Sequence, residues 1–345
     1  MIFATLPVRE AVGALSVHSV KAPGVVLKKG AAIGEAEAAA LAAAGVSEIV
    51  AVRLEPGDVG EDAAAARLAQ AAAGEGLRCD APFTGRVNLF STTAGVLVAD
   101  AAAVGRINAV DEAITVATLP AYAPVVEGEM VATVKIIPYA VPEDALGRAV
   151  AAAGQGALRI APWVRRRIGV VSTLLPALKP TVVDKTLRVL EKRLAPTGAR
   201  IVAETRRPHA VADLAEALGA MAAQEADLIV VFGASAIADR RDVIPAAIEA
   251  ADGRVDHFGM PVDPGNLLLV GTITGRPVVG APGCARSPKE NGFDWVLHRL
   301  LAGLPVTRAD IVAMGVGGLL MEIVSRPQPR GGEPSAGPEA AEDEP

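Results

Sequence analysis

From about Trp163 onward, short runs of uninterrupted apolar residues alternate with stretches whose apolar residues recur at helical spacing. Few folds accept that alternation. A run such as RIGVVST (Arg167–Thr173) or ADLIVVFG (Ala226–Gly233) offers no polar face to water, so it reads as a strand covered on both sides. Ala199–Thr205 reads as a further strand. Between them, Val183, Leu187, Leu190 and Leu194 stand at i, i+4, i+7 and i+11 and predict a helix over Thr181–Leu194; Val211, Leu214, Leu218 and Met221 mark the next. Arg240–Ala251 and Pro288–Ala302 read as helices, Val255–Pro261 as a strand, and Leu267–Gly280 as a hairpin turning at Thr274–Arg276. Strands and helices in this order pack as a doubly wound, mostly parallel sheet between two helix layers. The expectation is a three-layer α/β domain over residues 163–326, with ligands at the carboxyl ends of the strands.

The preceding residues have a different texture. Residues 1–76 read as a small α/β unit. It has an extended His18–Lys29, a helix over Gly34–Ala44 and a strand over Ser47–Leu54, then an Ala-rich helix opened by EPGDVGED. Glu35 and Glu37 lie in the first turn of that earlier helix, where the dipole favours acids, and Gly45 ends it. Residues 77–140 read as a β-rich module, with runs at Gly85–Phe90, Gly95–Ala99, Ala113–Ala117 and Met130–Ile137. Residues 141–162 read as a helix plus linker, and 327–345, rich in Pro, Gly and Glu, as a disordered acidic tail.

Charge and composition exclude several classes. There are 33 Lys+Arg against 39 Asp+Glu, a net of −6, and five of the acids fall in Gly331–Pro345. The rest is nearly neutral, which gives no electrostatic reason to bind nucleic acid or a membrane surface. Hydrophobic residues reach 51%, yet aromatics number only ten, so the core is aliphatic and no base-stacking platform is expected. Two cysteines, Cys79 and Cys284, make no disulfide framework, and four scattered histidines suggest no zinc site. No signal-peptide pattern opens the chain and no uncharged apolar run reaches the roughly 18 residues of a membrane span, so a cytoplasmic protein is expected.

The chemistry should sit where strands end. The first strand ends in Ser172 and Thr173, and the third in Gly233, Ala234 and Ser235. Pro264 and Gly265 lie in a turn, and Gly283, Cys284 and Ser287 precede the closing helix. Small residues let backbone amides approach an anion, and a following helix adds a favourable dipole. Ser235 has no GxSxG surroundings, so its hydroxyl reads as a hydrogen-bond donor rather than a nucleophile. Asp184, Asp239 and Asp242 open helices; such acids are either caps or hard oxygen ligands for a cation such as Mg²⁺. Cys284 reads as a small buried residue or as a soft thiolate whose pKa a helix start and Arg286 would lower. Arg286, Ser287 and Lys289 could add anion contacts.

The stretch GASAIADRRDVIPAAIEAADGRVDHFGMPVDPGNLLLVG, followed by GRPVVGAPGCARSP, resembles the molybdopterin-binding domain of molybdenum cofactor biosynthesis proteins. That family includes the molybdenum insertases related to the gephyrin E domain. The counterparts of its strand-end, acidic, Pro-Gly and Leu-Pro-Gly motifs are Phe232–Ser235, Asp239 with Asp242, Asp263–Asn266 and Ala281–Cys284. The segment HSVKAPGVVLKKGAAIGEAEAAALAAAGVSEIVAV also resembles an insertase, so the likeness covers most of residues 10–325. It is nearest to the molybdopterin-binding half that some bacterial proteins carry fused to a molybdenum cofactor nucleotidyltransferase. The resemblance implies a ligand that is molybdopterin or its adenylylated or molybdenum form, with Mg²⁺ and molybdate as companions. It also implies a homo-oligomer and a nucleotidyltransferase partner. By the same likeness Asp239 and Asp242 would hold metal and, with Asp184, act in catalysis. Ser172, Thr173, Gly233, Ala234, Ser235, Pro264, Gly265, Gly283, Cys284 and Ser287 would contact the cofactor. Three motifs depart from the pattern: Phe232 replaces one glycine of a pair, Asp263 and Asn266 replace two lysines, and Cys284-Ala285 replaces Asn-Pro. Molybdenum insertion coupled to hydrolysis of an adenylyl–phosphate bond is one expected activity. A non-catalytic carrier module is a second. A pyridine-nucleotide-processing hydrolase, on fold analogy alone, is a third.

Overall fold

The computed structural model describes residues 1–224 and 226–320. The acidic tail expected at 327–345 lies outside the described residues. The carboxyl domain is built on a six-stranded sheet. Its strands are β1 (Arg167–Leu174), β2 (Arg200–Pro208), β3 (Leu228–Phe232), β4 (Arg254–Phe258), β5 (Leu269–Ile273) and β6 (Arg276–Ala281). Their spatial order is β2-β1-β3-β6-β5-β4. β1 runs parallel to β2 and β3, and β3 parallel to β6; β5 alone is reversed, pairing antiparallel with both β6 and β4. The fold class is therefore the expected α/β arrangement with a mostly parallel sheet.

Alternation along each strand fills two cores. On one face Ile168, Val170, Val230, Phe232 and Val279 pack with Leu190 and Leu194 of helix α1 (Pro180–Leu194). Helix α4 (Gly292–Leu301) adds Phe293, Val296, Leu297 and Leu300 to the same cluster. On the other face Val171, Ile229, Val231 and Val278 meet Leu214, Leu218 and Met221 of α2 (Val211–Ala223) and Ile244 and Ile248 of α3 (Val243–Ala250). Each residue of β3 is buried, because both faces of that strand lie against helices.

Two helices begin later than the sequence suggests. α3 starts at Val243 because Asp242 caps it, its carboxylate accepting the Val243 N–H at 2.7 Å. α4 starts at Gly292, where Asn291 and Asp294 form a reciprocal capping box; Gly283–Arg286 before it is a single 3₁₀ turn.

Ahead of this domain, Ile2–Pro7, Glu48–Arg53 and Leu15–Ser16 form an antiparallel sheet beside the helix Glu35–Ala43. Helices Glu61–Ala72 and Glu143–Ala153 share one apolar cluster with the β-rich stretch, joining Leu68 and Leu146 to Leu89, Leu97, Ile107 and Val134. Leu158–Pro162, which reads as linker, is a strand paired with Gly95–Ala99. Ala101–Asn108 is a helix that the pattern of short β runs hides, opened by Asp100 accepting the Ala103 N–H at 2.9 Å. Tyr122 lies under the Arg299 guanidinium, 3.5 Å from ring centroid to Cζ, where the β-rich stretch meets α4. Among the described residues no helix is long and apolar enough to cross a membrane.

Candidate binding site at the carboxyl edge of the sheet

Because β1, β3 and β6 are consecutive neighbours in the sheet, their carboxyl ends converge. That order places Ser172 and Thr173, then Gly233, Ala234 and Ser235, then Pro282, Gly283 and Cys284 side by side along one edge. The positions come from the end of one strand and the turns after two others, spread over more than a hundred residues of the chain, and the sheet topology unites them.

Ser172 is 2% exposed, and its Oγ finds no hydrogen-bond partner. It stands two residues beyond Val170 along β1 and so shares that residue's face, toward the α1 and α4 layer. A buried hydroxyl without a partner is costly to the fold. Thr173, its neighbour, is instead committed. Its hydroxyl accepts the Ala234 N–H at 2.8 Å and lies 2.8 Å from His209 Nδ1, joining the ends of β1, β2 and β3. His209 escapes a reading by spacing because its role depends on β2 lying beside β1.

The turn after β3 is close-packed. A Cβ on Gly233 would come within 2.6 Å of the Ser235 carbonyl oxygen and 2.8 Å of Ile244 Cδ1, so only glycine allows the chain to fold back there. Ser235 is exposed, and its hydroxyl makes only a long, 3.5 Å contact to the next carbonyl. Arg286 crosses to this turn and donates to the Gly233 carbonyl at 2.7 Å and to Thr186 Oγ1 at 3.1 Å, with its guanidinium over Phe232. It therefore braces the turn from behind. Burial pulls its pKa below the usual arginine value.

Pro264 and Gly265 approach from the β4–β5 connection and dock on the start of α4, where the Gly292 N–H donates to the Pro264 carbonyl at 2.8 Å. Gly265 has φ +147, and a Cβ there would sit 2.9 Å from Gly292, so glycine is required. Cys284 is half-buried, and burial pushes its thiol up from the ordinary value; Arg193 acts against this and Asp294 with it. Of the two readings of Cys284, the half-buried small residue agrees with this direction better than the low-pKa thiolate, and Arg286 is turned to the Gly233 carbonyl. Ser287 Oγ accepts the Lys289 N–H at 3.3 Å.

The three acids are engaged within the protein. Asp184 pairs with Arg206 at 2.7 Å. Asp239 pairs with Arg241 at 2.7 Å, and that side chain and the Arg241 N–H hold its carboxyl below the usual range. Asp242 places one oxygen on the Val243 N–H and the other on the Ala238 N–H, at 2.7 and 3.0 Å. Among the described residues no group of three or more His, Cys, Asp or Glu is placed to hold a metal ion. Asp239 and Asp242 spend their carboxylate oxygens on Arg241 and on backbone amides here, and no metal-dependent step is assigned to them. As a cap, Asp242 sets a stability expectation: Asp242→Ala should cost about 1 kcal/mol in urea unfolding.

Two hollows lie elsewhere. One of about 610 Å³ is lined by Arg9, Val12, Glu35 and alanines of the first helix. Another of about 500 Å³ is lined by Arg165, Arg167, Asp227 and Arg276, at the amino ends of β1, β3 and β6. Neither holds the converged hydroxyls and glycines, so chemistry rather than depth selects the carboxyl edge.

Residues 169–303 match the family model described as "Probable molybdopterin binding domain". That segment is a domain of the molybdopterin-binding family of molybdenum cofactor biosynthesis. Among solved structures, the chain is similar to a molybdopterin biosynthesis moeA protein from Pyrococcus horikoshii, at 14% identity, covering 88% of this chain and 75% of that one, with a TM-score of 0.32. It is also similar to a molybdenum cofactor biosynthesis protein B, at 16% identity over 41% of this chain and 96% of that one, TM-score 0.30. A MoaB from Thermus thermophilus gives 17% identity, 41% and 98% coverage, and a TM-score of 0.29. A search of curated protein sequences returned no match.

Proposed function

We propose that the carboxyl domain binds molybdopterin, or its adenylylated or molybdenum form, across the ends of β1, β3 and β6. The observation that carries this reading is the Ser172 hydroxyl, 2% exposed and unpartnered near the carboxyl end of a central strand. Beside it the close-packed Gly233–Ser235 turn carries no bulky side chain, and Ser235 is exposed. A phosphorylated pterin brings both kinds of partner, a charged acceptor for hydroxyl and amide donors and a flat ring to lie over small residues. Asp184 and Arg206 form the rim on the α1 side.

The engagement of Asp239 and Asp242 as a turn pair and a cap favours holding the cofactor over cleaving it. In this reading the domain is a carrier that delivers the pterin to a partner such as a nucleotidyltransferase. The contrasting activity is release of AMP from adenylylated molybdopterin with Mg²⁺ and molybdate. The carrier reading expects binding without AMP release; turnover above the uncatalysed rate would replace it with the insertase reading.

Ser172→Ala separates a ligand role from a structural one. Removing an unsatisfied buried hydroxyl should leave urea stability unchanged or slightly raised, while pterin affinity falls about tenfold. A loss of stability with affinity intact would remove Ser172 from the site.

A further inference from the structure

The loop from Pro282 to Glu290 brings Gly283, Cys284 and Ser287 to the candidate site, yet only the 3₁₀ turn Gly283–Arg286 within it is regular. What shapes the rest is a single side chain from α1. Arg193 is only 8% exposed at its side chain and forms a 2.6 Å ion pair with Asp294 of α4. The same guanidinium donates to the carbonyls of Ala285, Ser287 and Lys289 at 2.8, 2.6 and 3.1 Å. Asn291 continues the pattern, its side-chain amide donating to the Lys289 carbonyl at 3.0 Å. The other oxygen of Asp294 accepts the Asn291 N–H at 2.9 Å. Three loop carbonyls are thereby drawn onto one buried cation.

We propose that Arg193 is the positioning residue of this site, fixing the Pro282–Glu290 loop in the form that receives an anionic pterin. This rests on the binding reading above. The electrostatic reasoning is direct. Free carbonyl oxygens along a loop repel phosphate, whereas oxygens already bound to a guanidinium are withdrawn from it. Only a planar fork with donors in several directions serves one carboxylate and three carbonyls at once. A lysine at the same place keeps the charge but not the fork.

Cys284 lies within the loop and reports its order without any ligand. The test is the alkylation rate of Cys284 in the full chain, followed by mass spectrometry, with Cys79 in the amino-terminal half as the internal reference. Pterin affinity is measured in parallel. In Arg193→Lys, Cys284 should react about tenfold faster while Cys79 stays within about twofold, and affinity should fall about tenfold, as expected for lost charge-assisted bonds. Far-UV circular dichroism checks that the variant is folded. If it is not, Asp294→Asn, which retains a capping oxygen, should move both readouts in the same direction. An unchanged Cys284 rate overturns the proposal. So does faster Cys284 alkylation with wild-type pterin affinity. Failure of the unsubstituted protein to bind pterin would instead sink the binding reading, and the thiol kinetics would keep the two failures apart.

Discussion

Asp294→Ala is expected to lower the unfolding free energy by about 3–5 kcal/mol, the cost of leaving a buried charge without its partner. The effect is large because Asp294 serves two elements at once. One oxygen neutralises Arg193 at 2.6 Å, and the other receives the Asn291 N–H that opens α4. Losing it strands a guanidinium that is 8% exposed and removes half of a capping box. Urea denaturation followed by circular dichroism measures the change. A loss under about 1 kcal/mol would mean that water reaches Arg193 and that the network is a surface feature.

Gly233→Val is the second large expectation. Its first side-chain carbon would lie 2.6 Å from the Ser235 carbonyl oxygen and 2.8 Å from Ile244 Cδ1. A backbone oxygen cannot yield as a side-chain end can, so the turn must open. Overpacking of this kind costs about 1–3 kcal/mol. The displaced turn also loses the Arg286 bond to the Gly233 carbonyl and the Thr173 bond to the Ala234 N–H. Pterin binding should therefore fall by more than the stability change explains, to below detection in an equilibrium titration. Wild-type affinity in a folded Gly233→Val protein would place the ligand away from this turn.

The sheet was legible because its strands state their burial directly. ADLIVVFG has no polar face, and the structure buries every residue of Leu228–Phe232 between two helix layers. Helix starts were less legible, since Asp242 and Asn291 act as caps only once the chain beyond them has folded back. The strand Leu158–Pro162 was hidden because a run of mixed residues becomes a strand only through its partner at Gly95–Ala99. For the site, spacing pointed to the right loops but not to the tasks of their side chains. Acids at helix starts look alike whether they cap or bind a cation, and the structure uses Asp242 on two backbone amides. Arg193 left no local signal, because its partners lie about a hundred residues downstream and are mostly backbone carbonyls, which any sequence supplies.

The most direct test of the account is equilibrium titration of molybdopterin into the purified chain, with bound pterin counted by mass spectrometry, run beside Ser172→Ala. One pterin per chain, held about tenfold more weakly by the alanine variant at equal or higher stability, is the predicted result. No saturable binding, or binding indifferent to Ser172, would contradict it.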